Sequence, residues 1–325
     1  MQTRWAVLGP GEISGYFARA LPRSQFGMLH AVGSSDPGRA SAFASQYAAP
    51  VSGTYDDILS RDDVDAVYVG TVHTSHADLV EAALRAGKAV LCEKPATTNV
   101  ADTERVLAVA AEMERPFLEA FKCRFGPLAD RLRRLIEDGA VGDIVSTDAA
   151  FGFAAGERSG RLFDPALAGG ALLDAGGYPA SFAVGVAAWA GLDLNGVVGD
   201  VEGYIGDTGV DEDAAATVRF GESRARIRTS IVKELPHSAT ITGTDGAIEI
   251  PDVWGSRTES ASTLIVRRAG EEPARITLDV IDPFAAEADA ISLALAEGRT
   301  EVPQMPWSHT RAVSRVLEDW RRAIG

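Results

Sequence analysis

The chain has 325 residues, of which 46% are hydrophobic and 24% charged, and its formal net charge is −15 at pH 7. A chain of this length is too long to fold around one ordinary hydrophobic core, so we expect two domains. The acidic excess argues against nucleic acid or an anionic membrane as a partner, because both are bound largely through clustered Lys and Arg. No apolar run approaches the roughly 20 residues that a transmembrane helix needs.

The N-terminal sequence and the cysteines bear on the cellular compartment. The first predicted strand starts at Arg4, so no signal peptide is expected. Cys92 and Cys123 are the two thiols of this long chain, and a disulfide framework is not implied. A cytoplasmic location is the simplest interpretation. No metal-ligand pattern stands out, and no metal site is predicted.

The most informative segment covers residues 4–14, RWAVLGPGEIS, where a short apolar strand meets a glycine-spaced turn. Gly9 permits the tight turn, and Gly11 lets a phosphate approach the backbone because no Cβ is in the way. Glu12 and Ile13 begin a helix, whose N-terminal N–H groups suit a pyrophosphate. A turn of this kind directly after the first strand predicts a dinucleotide-binding site.

The first third of the chain alternates strand and helix patterns. Predicted strands cover residues 28–33, 66–69, 89–92 and 116–118, with predicted helices at 75–87 and 99–114. Alternating units of this length indicate a parallel sheet with helices on both faces. We therefore predict a doubly wound α/β Rossmann domain over residues 1–120.

The pattern changes in residues 121–325, which we assign to an α+β domain for substrate binding and oligomerisation. Period-two segments at 144–153, 197–205, 214–220, 225–232 and 239–250 predict a large, mostly antiparallel open sheet. Predicted helices cover 175–190, 284–297 and 308–324, and the last is a candidate for packing back on the first domain. An open sheet needs its second face covered, so the alternating apolar positions of 225–232 predict a homodimer or a dimer of dimers.

Three groups of residues could carry chemistry. Glu93-Lys94-Pro95 follows a predicted parallel strand, where open α/β sheets place their ligands, although such a loop is more often merely solvated. Asp174 and Tyr178 are four apart at a helix start and share one face. The alternative is a carboxylate complementing the helix dipole beside a half-buried tyrosine. His73 and His76 are more typical of helix-entry partners than of acids or bases.

Together these groups resemble the glucose-fructose oxidoreductase/inositol dehydrogenase (Gfo/Idh/MocA) family. Within it the chain is most similar to the branch of dimeric dihydrodiol dehydrogenases and NADP-dependent xylose dehydrogenases. The resemblance covers nearly the whole length and is carried by residues 4–20, 65–76, 86–95, 119–127, 167–178 and 301–306. It implies a nicotinamide-dependent oxidoreductase.

The resemblance also implies roles for single residues. Lys94 corresponds to the lysine that contacts the substrate hydroxyl and the nicotinamide ribose, Tyr178 to the general acid/base, and Asp174 to the group that orients it or the substrate. Oxidation of a carbinol needs a proton acceptor at the oxygen. A phenol is a poor base at neutral pH unless a nearby ammonium favours the phenolate. The lysine and the tyrosine therefore make chemical sense as a pair.

The cofactor prediction depends on the residues that follow the second strand. An acidic residue there would select NAD by binding the ribose 2′-OH. The chain has Ser34-Ser35 instead, with Arg39 one turn into the next helix and Asp36 best interpreted as the N-cap of that helix. We expect NADP(H), with NAD(H) as the alternative. We also predict cofactor contacts by Thr71, His73, His76, Glu93 and Lys94, and substrate contacts by Arg124 and Arg161.

The sequence therefore predicts an NADP(H)-dependent oxidoreductase acting on a cyclic polyol, a sugar, a diol or a related carbonyl compound. Two alternatives come from the same family. One is a glycoside hydrolase that retains NAD through transient oxidation. The other is a non-catalytic regulator that senses dinucleotide, against which the intact Lys94, Asp174 and Tyr178 argue.

Overall fold

The computed structural model describes residues 2–255 and 261–325. The chain divides into two compact units, and each is described by itself. The first unit comprises Met1–Lys122 and Ile281–Trp307, and the second comprises Cys123–Val280 and Ser308–Gly325. The sequence had assigned residues 281–307 to the second domain, whereas they fold with the first unit.

The regular elements are numbered in chain order. The strands are β1 (Thr3–Leu8), β2 (Gly27–Gly33), β3 (Val51–Gly53), β4 (Ala66–Val69), β5 (Ala89–Glu93), β6 (Phe117–Ala120), β7 (Ile144–Gly152), β8 (Val197–Ile205), β9 (Asp211–Phe220), β10 (Ser223–Ser230), β11 (Ala239–Gly243), β12 (Gly246–Ile250), β13 (Ser262–Arg268) and β14 (Ala274–Leu278). The helices are α1 (Glu12–Ala20), α2 (Pro37–Gln46), α3 (Tyr55–Leu59), α4 (His76–Arg85), α5 (Val100–Glu112), α6 (Pro127–Glu137), α7 (Gly177–Trp189), α8 (Pro283–Ala296) and α9 (Trp307–Ile324).

The first unit is built on a parallel sheet with the strand order β3-β2-β1-β4-β5-β6. This is the order of a doubly wound dinucleotide-binding domain, which confirms the predicted Rossmann fold. Every residue of β4 and β5 is buried, as expected for strands that helices cover on both faces. The apolar runs at residues 66–69 and 89–92 therefore form inner strands of the sheet.

Helix α8 accounts for the assignment of residues 281–307 to the first unit. Asp282 caps its N-terminus by accepting a hydrogen bond from the Phe284 N–H at 3.0 Å. The Phe284 ring stacks on Tyr16 of α1 at a centroid distance of 6.3 Å, and Asp289 accepts a hydrogen bond from the Phe26 N–H. The contacts of Phe284 with Tyr16 and of Asp289 with Phe26 join segments more than 250 residues apart in sequence, and no local pattern predicts them.

The second unit is built on a larger mixed sheet with the order β14-β13-β12-β11-β7-β10-β9-β8. Strands β7 and β10 pair in parallel and the other neighbours pair antiparallel. Helix α7 packs on β7 and β10. The core beneath it contains Phe182, Val186, Ile241 and Ile248. The sheet confirms the predicted mostly antiparallel architecture, although β13 and β14 were not predicted.

The predicted self-association face needs a correction. The apolar residues Ala225, Ile227 and Ile231 are buried within the single chain, whereas the alternate positions Arg224 and Arg226 are exposed. Alternation shows that a strand has two faces but not which one is covered. The apolar positions of 225–232 that were expected to mediate self-association are therefore covered within the chain itself, and a homodimer stays a prediction. Across residues 2–255 and 261–325, no helix is both long and apolar enough to span a membrane.

Candidate active site

The glycine turn after β1 has the geometry that a pyrophosphate requires. Gly9 has φ +90°, and a Cβ there would lie 2.5 Å from Cγ2 of Thr71, so only glycine fits. Ser14 fixes the turn by donating a hydrogen bond from Oγ to the Gly9 carbonyl at 2.6 Å. Gly11 is the N-cap of α1 and has no side chain to cap the N–H groups of Glu12 and Ile13. These N–H groups and the helix dipole suit an anion.

The strand register places further predicted residues at the same edge of the sheet. Leu8 of β1 pairs with Val69 of β4, and Val69 pairs with Cys92 of β5. Thr71 therefore follows the strand next to the glycine turn, and Lys94 follows the strand beyond it. At about 4.8 Å per strand, Lys94 is displaced from the turn by about 10 Å across the sheet. This edge, at the switch in strand order, is where doubly wound domains bind ligands.

On the other side of the glycine turn, the end of β2 carries the residues predicted to select the cofactor. Ser34 is buried and its Oγ accepts a hydrogen bond from the Asp36 N–H at 3.1 Å, whereas Ser35 is exposed. Asp36 caps α2 with its carboxylate, as the sequence suggested. Arg39 donates from Nη2 to the Pro10 carbonyl at 3.2 Å. The guanidinium therefore lies beside the glycine turn.

The loop that carries Lys94 is held in place by the buried side chain of His76. Lys94 is half-buried and precedes Pro95 in a cis peptide bond. The fully buried ring of His76 places Nδ1 2.8 Å from the Pro95 carbonyl and Nε2 3.2 Å from the Thr71 carbonyl. His76 therefore ties together the loops that follow β4 and β5. The His73 ring is also buried and lies 5.8 Å from it.

A buried acidic group lies next to this loop. Glu93 accepts a hydrogen bond from the Tyr68 hydroxyl at 2.6 Å. Burial, reinforced by Glu93, raises the pKa of the Glu287 carboxyl on α8 well above its usual range. Burial and Glu93 also raise the pKa of Tyr68, which keeps its hydroxyl a donor. Burial raises the pKa of the Cys92 thiol too, so this cysteine is not a nucleophile at neutral pH.

In the second unit, a tight turn leads into the helix with the other predicted catalytic residues. Ala168 has φ +54° and Gly170 has φ +111°. A Cβ on Gly169 would lie 2.6 Å from the carbonyl oxygens of Arg161 and Leu162. The chain then forms a π turn, Leu172–Gly176, before α7 begins. The helix predicted over 175–190 therefore begins with this π turn, and its α-helical part runs from Gly177 to Trp189. π turns are rare in proteins overall, and those that occur are often found at functional sites.

Asp174 lies in the π turn, and Tyr178 is the second residue of α7. Asp174 is 9% exposed, and its Oδ1 lies 3.0 Å from Nη1 of Arg161. The Tyr178 ring is half-buried and packs against Phe151 and Trp254 at centroid distances of 4.8 and 5.7 Å. The Phe151 and Trp254 rings therefore provide an apolar environment on one side of the phenol. The sequence predicted Arg161 as a substrate contact, but its ion pair with Asp174 was not predicted.

Arg124 is 2% exposed and lies within the second unit. Its Nη1 donates to the Ser181 carbonyl at 3.0 Å, its Nη2 lies 2.7 Å from Nδ1 of His309, and its Cζ lies 4.7 Å from the Trp189 ring centroid. Burial lowers its pKa to about 10, which leaves the guanidinium charged at pH 7. These contacts link α7 to α9. A substrate contact by Arg124 stays a prediction.

Within the part of the chain that the structure describes, no group of three or more His, Cys, Asp or Glu side chains is placed to hold a metal ion. The thiols Cys92 and Cys123 are both unbridged.

Two family models match the chain. The oxidoreductase family model with an NAD-binding Rossmann fold covers residues 3–121, and the GFO/IDH/MocA C-terminal domain covers residues 129–249. The chain belongs to the GFO/IDH/MocA family. This membership agrees with the resemblance seen in the sequence motifs.

Two relatives match the chain over its full length. Trans-1,2-dihydrobenzene-1,2-diol dehydrogenase of Homo sapiens is 32% identical over 336 residues, covering 100% of this chain and 98% of the human protein. The Xenopus tropicalis protein of the same name is 30% identical over 339 residues, with 100% and 99% covered.

Solved structures of similar proteins share the fold. A 3-ketoreductase from Actinomadura kijaniata, in complex with TDP-benzene and NADP, has 26% identity and a TM-score of 0.84, covering 99% of this chain and 97% of its own. Aldose-aldose oxidoreductase from Caulobacter crescentus, complexed with glycerol, has 25% identity and a TM-score of 0.87, with 100% and 98% covered. The chain is accordingly an oxidoreductase of the dehydrogenase/reductase class.

Proposed function

We propose that this protein is an NADP(H)-dependent oxidoreductase that interconverts a CH–OH group and a carbonyl on a cyclic polyol, a sugar or a diol. One observation carries the proposal. The glycine turn, Thr71 and Lys94 follow the ends of three adjacent parallel strands, in a chain that belongs to an oxidoreductase family. A dinucleotide lying along this edge would have its pyrophosphate at α1 and its nicotinamide near Lys94.

The residues around the glycine turn fit this cofactor. The backbone at Gly9 and Gly11 and the N–H groups of Glu12 and Ile13 would hold the pyrophosphate. At the end of β2, the hydroxyls of Ser34 and Ser35 and the guanidinium of Arg39 suit a ribose 2′-phosphate, since Arg pairs well with phosphate. Asp36 is engaged as a helix cap, so the strand end presents no carboxylate dedicated to a 2′-OH. This arrangement favours NADP(H) over NAD(H).

The catalytic roles follow from the chemistry of a carbinol. A bound nicotinamide would supply hydride transfer to or from the carbinol carbon. We assign proton transfer to Tyr178, whose phenolate removes the proton from the substrate oxygen in oxidation and whose hydroxyl returns it in reduction. Lys94 supplies a positive charge that favours the phenolate and binds the same oxygen. Asp174, held by Arg161, orients the tyrosine or a substrate hydroxyl.

The surroundings of Tyr178 support a ring-shaped substrate. The rings of Phe151 and Trp254 lie beside the phenol, and the Trp254 ring is fixed because its Nε1 donates to the Ala150 carbonyl at 2.7 Å. Trp254 is buried and supports the half-buried Phe151, whose remaining surface suits the apolar face of a ring, while the phenol binds a hydroxyl. A cytoplasmic location and a homodimeric or tetrameric assembly complete the proposal.

Cofactor titration combined with a substrate screen tests the proposal. The purified protein is titrated with NADPH and NADH by fluorescence, and sugars, polyols and cyclic diols are screened by absorbance of the reduced nicotinamide. We expect tighter NADPH binding and turnover of at least one ring-shaped alcohol. Glycoside cleavage with retained NAD and no net reduction would support the hydrolase instead. Tight binding with no turnover of any compound would support the regulator.

A further inference from the structure

Asp211, the first residue of β9, contacts the start of the helical segment that carries Asp174 and Tyr178. Its Oδ2 accepts a hydrogen bond from the Leu172 N–H at 2.6 Å, and the Ala171 N–H also stabilises its charged form. Leu172 begins the π turn. The carboxylate therefore binds the N-terminal end of this segment, whose first N–H groups lack intrahelical acceptors.

Gly170 makes room for this contact. A Cβ on Gly170 would lie 2.4 Å from Oδ1 of Asp211, and the residue has φ +111°, so glycine is required for space and for backbone conformation. From β10, Thr229 donates a hydrogen bond from Oγ1 to the Ala171 carbonyl at 3.2 Å. Two adjacent strands of the sheet thus hold the first residues of the segment.

The charge of Asp211 suits this position. A carboxylate at a helix N-terminus interacts favourably with the helix dipole, and a hydrogen bond to an ionised acceptor is stronger than a neutral one. Burial raises the pKa of Asp211 to about 6, although its hydrogen bonds with backbone N–H groups oppose the shift. The side chain is therefore ionised at pH 7 and above.

We propose that Asp211 is a positioning residue, which fixes the π turn against the sheet and so holds Asp174 and Tyr178 in the geometry that proton transfer requires. This inference rests on the proposed function, because the catalytic roles of Asp174 and Tyr178 belong to that proposal. Asp211 itself is given no contact with the substrate or cofactor. Catalysis depends steeply on such positioning, and a displacement of about 1 Å can lower the rate about 100-fold.

Hydrogen exchange tests the contact between Asp211 and the π turn independently of activity. In Asp211→Ala the Leu172 N–H loses its acceptor, so we expect amides of residues 171–178 to exchange at least 10-fold faster than in the unchanged protein. Asp211→Asn retains an acceptor oxygen and should restore protection. Asp213→Ala is the matched control, since Asp213 lies on the same strand but pairs with Lys233 at 3.2 Å. Unchanged exchange in Asp211→Ala would overturn the proposal.

Steady-state kinetics tests the consequence for catalysis. Asp211→Ala should lower kcat at least 10-fold while the KM for NADP stays within about threefold, and Asp211→Asn should recover most of the loss. Gly170→Ala is a second variant, because its Cβ displaces the carboxylate without removing it, and it should also lower kcat. An Asn variant as impaired as the Ala variant would overturn the proposal, because the acceptor would then not be what matters.

Failure of the positioning role and failure of the proposed function give different results. If Asp211→Ala accelerates exchange while the unchanged protein turns over no alcohol, the proposed function fails, but the contact between Asp211 and the π turn is supported. If the unchanged protein is active and Asp211→Ala retains its kcat, the positioning role fails and the proposed function stands.

Discussion

Acid destabilisation through His309 is a prediction that the structure makes quantitative. His309, on α9, is 8% exposed, and its Nδ1 accepts a hydrogen bond from the buried Arg124. Burial, together with the neighbouring guanidinium, lowers the pKa of His309 from 6.5 to about 3. The imidazole is therefore neutral in the folded protein at pH 7, because a proton on it would face the Arg124 charge.

The direction and size of the effect follow from proton linkage. Between pH 6.5 and about 3 the unfolded chain carries a proton on His309 that the folded protein lacks, so stability is complete above that window and is lost as the pH falls through it. Each pH unit inside the window costs at most about 1.4 kcal/mol. Lowering the pH from about 8 to about 5 should therefore cost about 2 kcal/mol from this residue.

The assay is urea unfolding of the unchanged protein and of His309→Asn at about pH 8, 6 and 5. The Asn Oδ1 takes the place of Nδ1 as an acceptor for Arg124 but does not titrate. Asp211, whose raised pKa acts in the opposite direction, is present in both proteins, so the difference between them isolates His309. We expect the unchanged protein to lose about 2 kcal/mol more than the variant on acidification. Parallel pH profiles for the two proteins would refute the reasoning.

Three further predictions concern the cofactor, the helix packing and the assembly. Ser34→Asp should reverse the order of the NADPH and NADH dissociation constants, and tighter NADH binding by the unchanged protein in fluorescence titration would contradict the cofactor assignment. Gly185→Ala should destabilise the fold by about 1–3 kcal/mol, because the new Cβ would lie 1.7 Å from Nη1 of Arg124. This loss is expected even though Ala normally favours a helix. An unchanged or raised urea midpoint would count against this packing. Sedimentation should show a homodimer or a dimer of dimers at micromolar concentration, and a monomer there would exclude the assembly.

Much of the first unit could be predicted from sequence because its signals are local. The apolar runs at β1, β4 and β5 and the glycine turn between β1 and α1 each lie within a dozen residues. The N-cap role of Asp36 was predicted for the same reason and is confirmed. Short elements such as β3 and α3 were not predicted, since they have too few residues to show a period.

The site was harder to predict because its geometry depends on distant segments. Sequence placed His76 among the cofactor contacts, but its ring has no exposed surface and ties two loops together. Arg124 is similarly enclosed by α7 and α9, which are far apart in the chain. The π turn and its contact with Asp211 have no sequence signal that local periodicity could show. The Ala-Gly-Gly turn before it gave one clue, since adjacent glycines often mark close backbone approach.

The most direct test of the account is the turnover of Tyr178→Phe with NADP and the best alcohol from the substrate screen. If Tyr178 transfers the proton, this variant should lose about 100-fold or more in kcat, while NADPH affinity and the melting temperature change little, because the predicted phosphate contacts lie at the glycine turn. Tyr204→Phe, at an exposed tyrosine of the same unit, is the matched control and should behave like the unchanged protein. A kcat for Tyr178→Phe within about threefold of the unchanged protein would contradict the central claim.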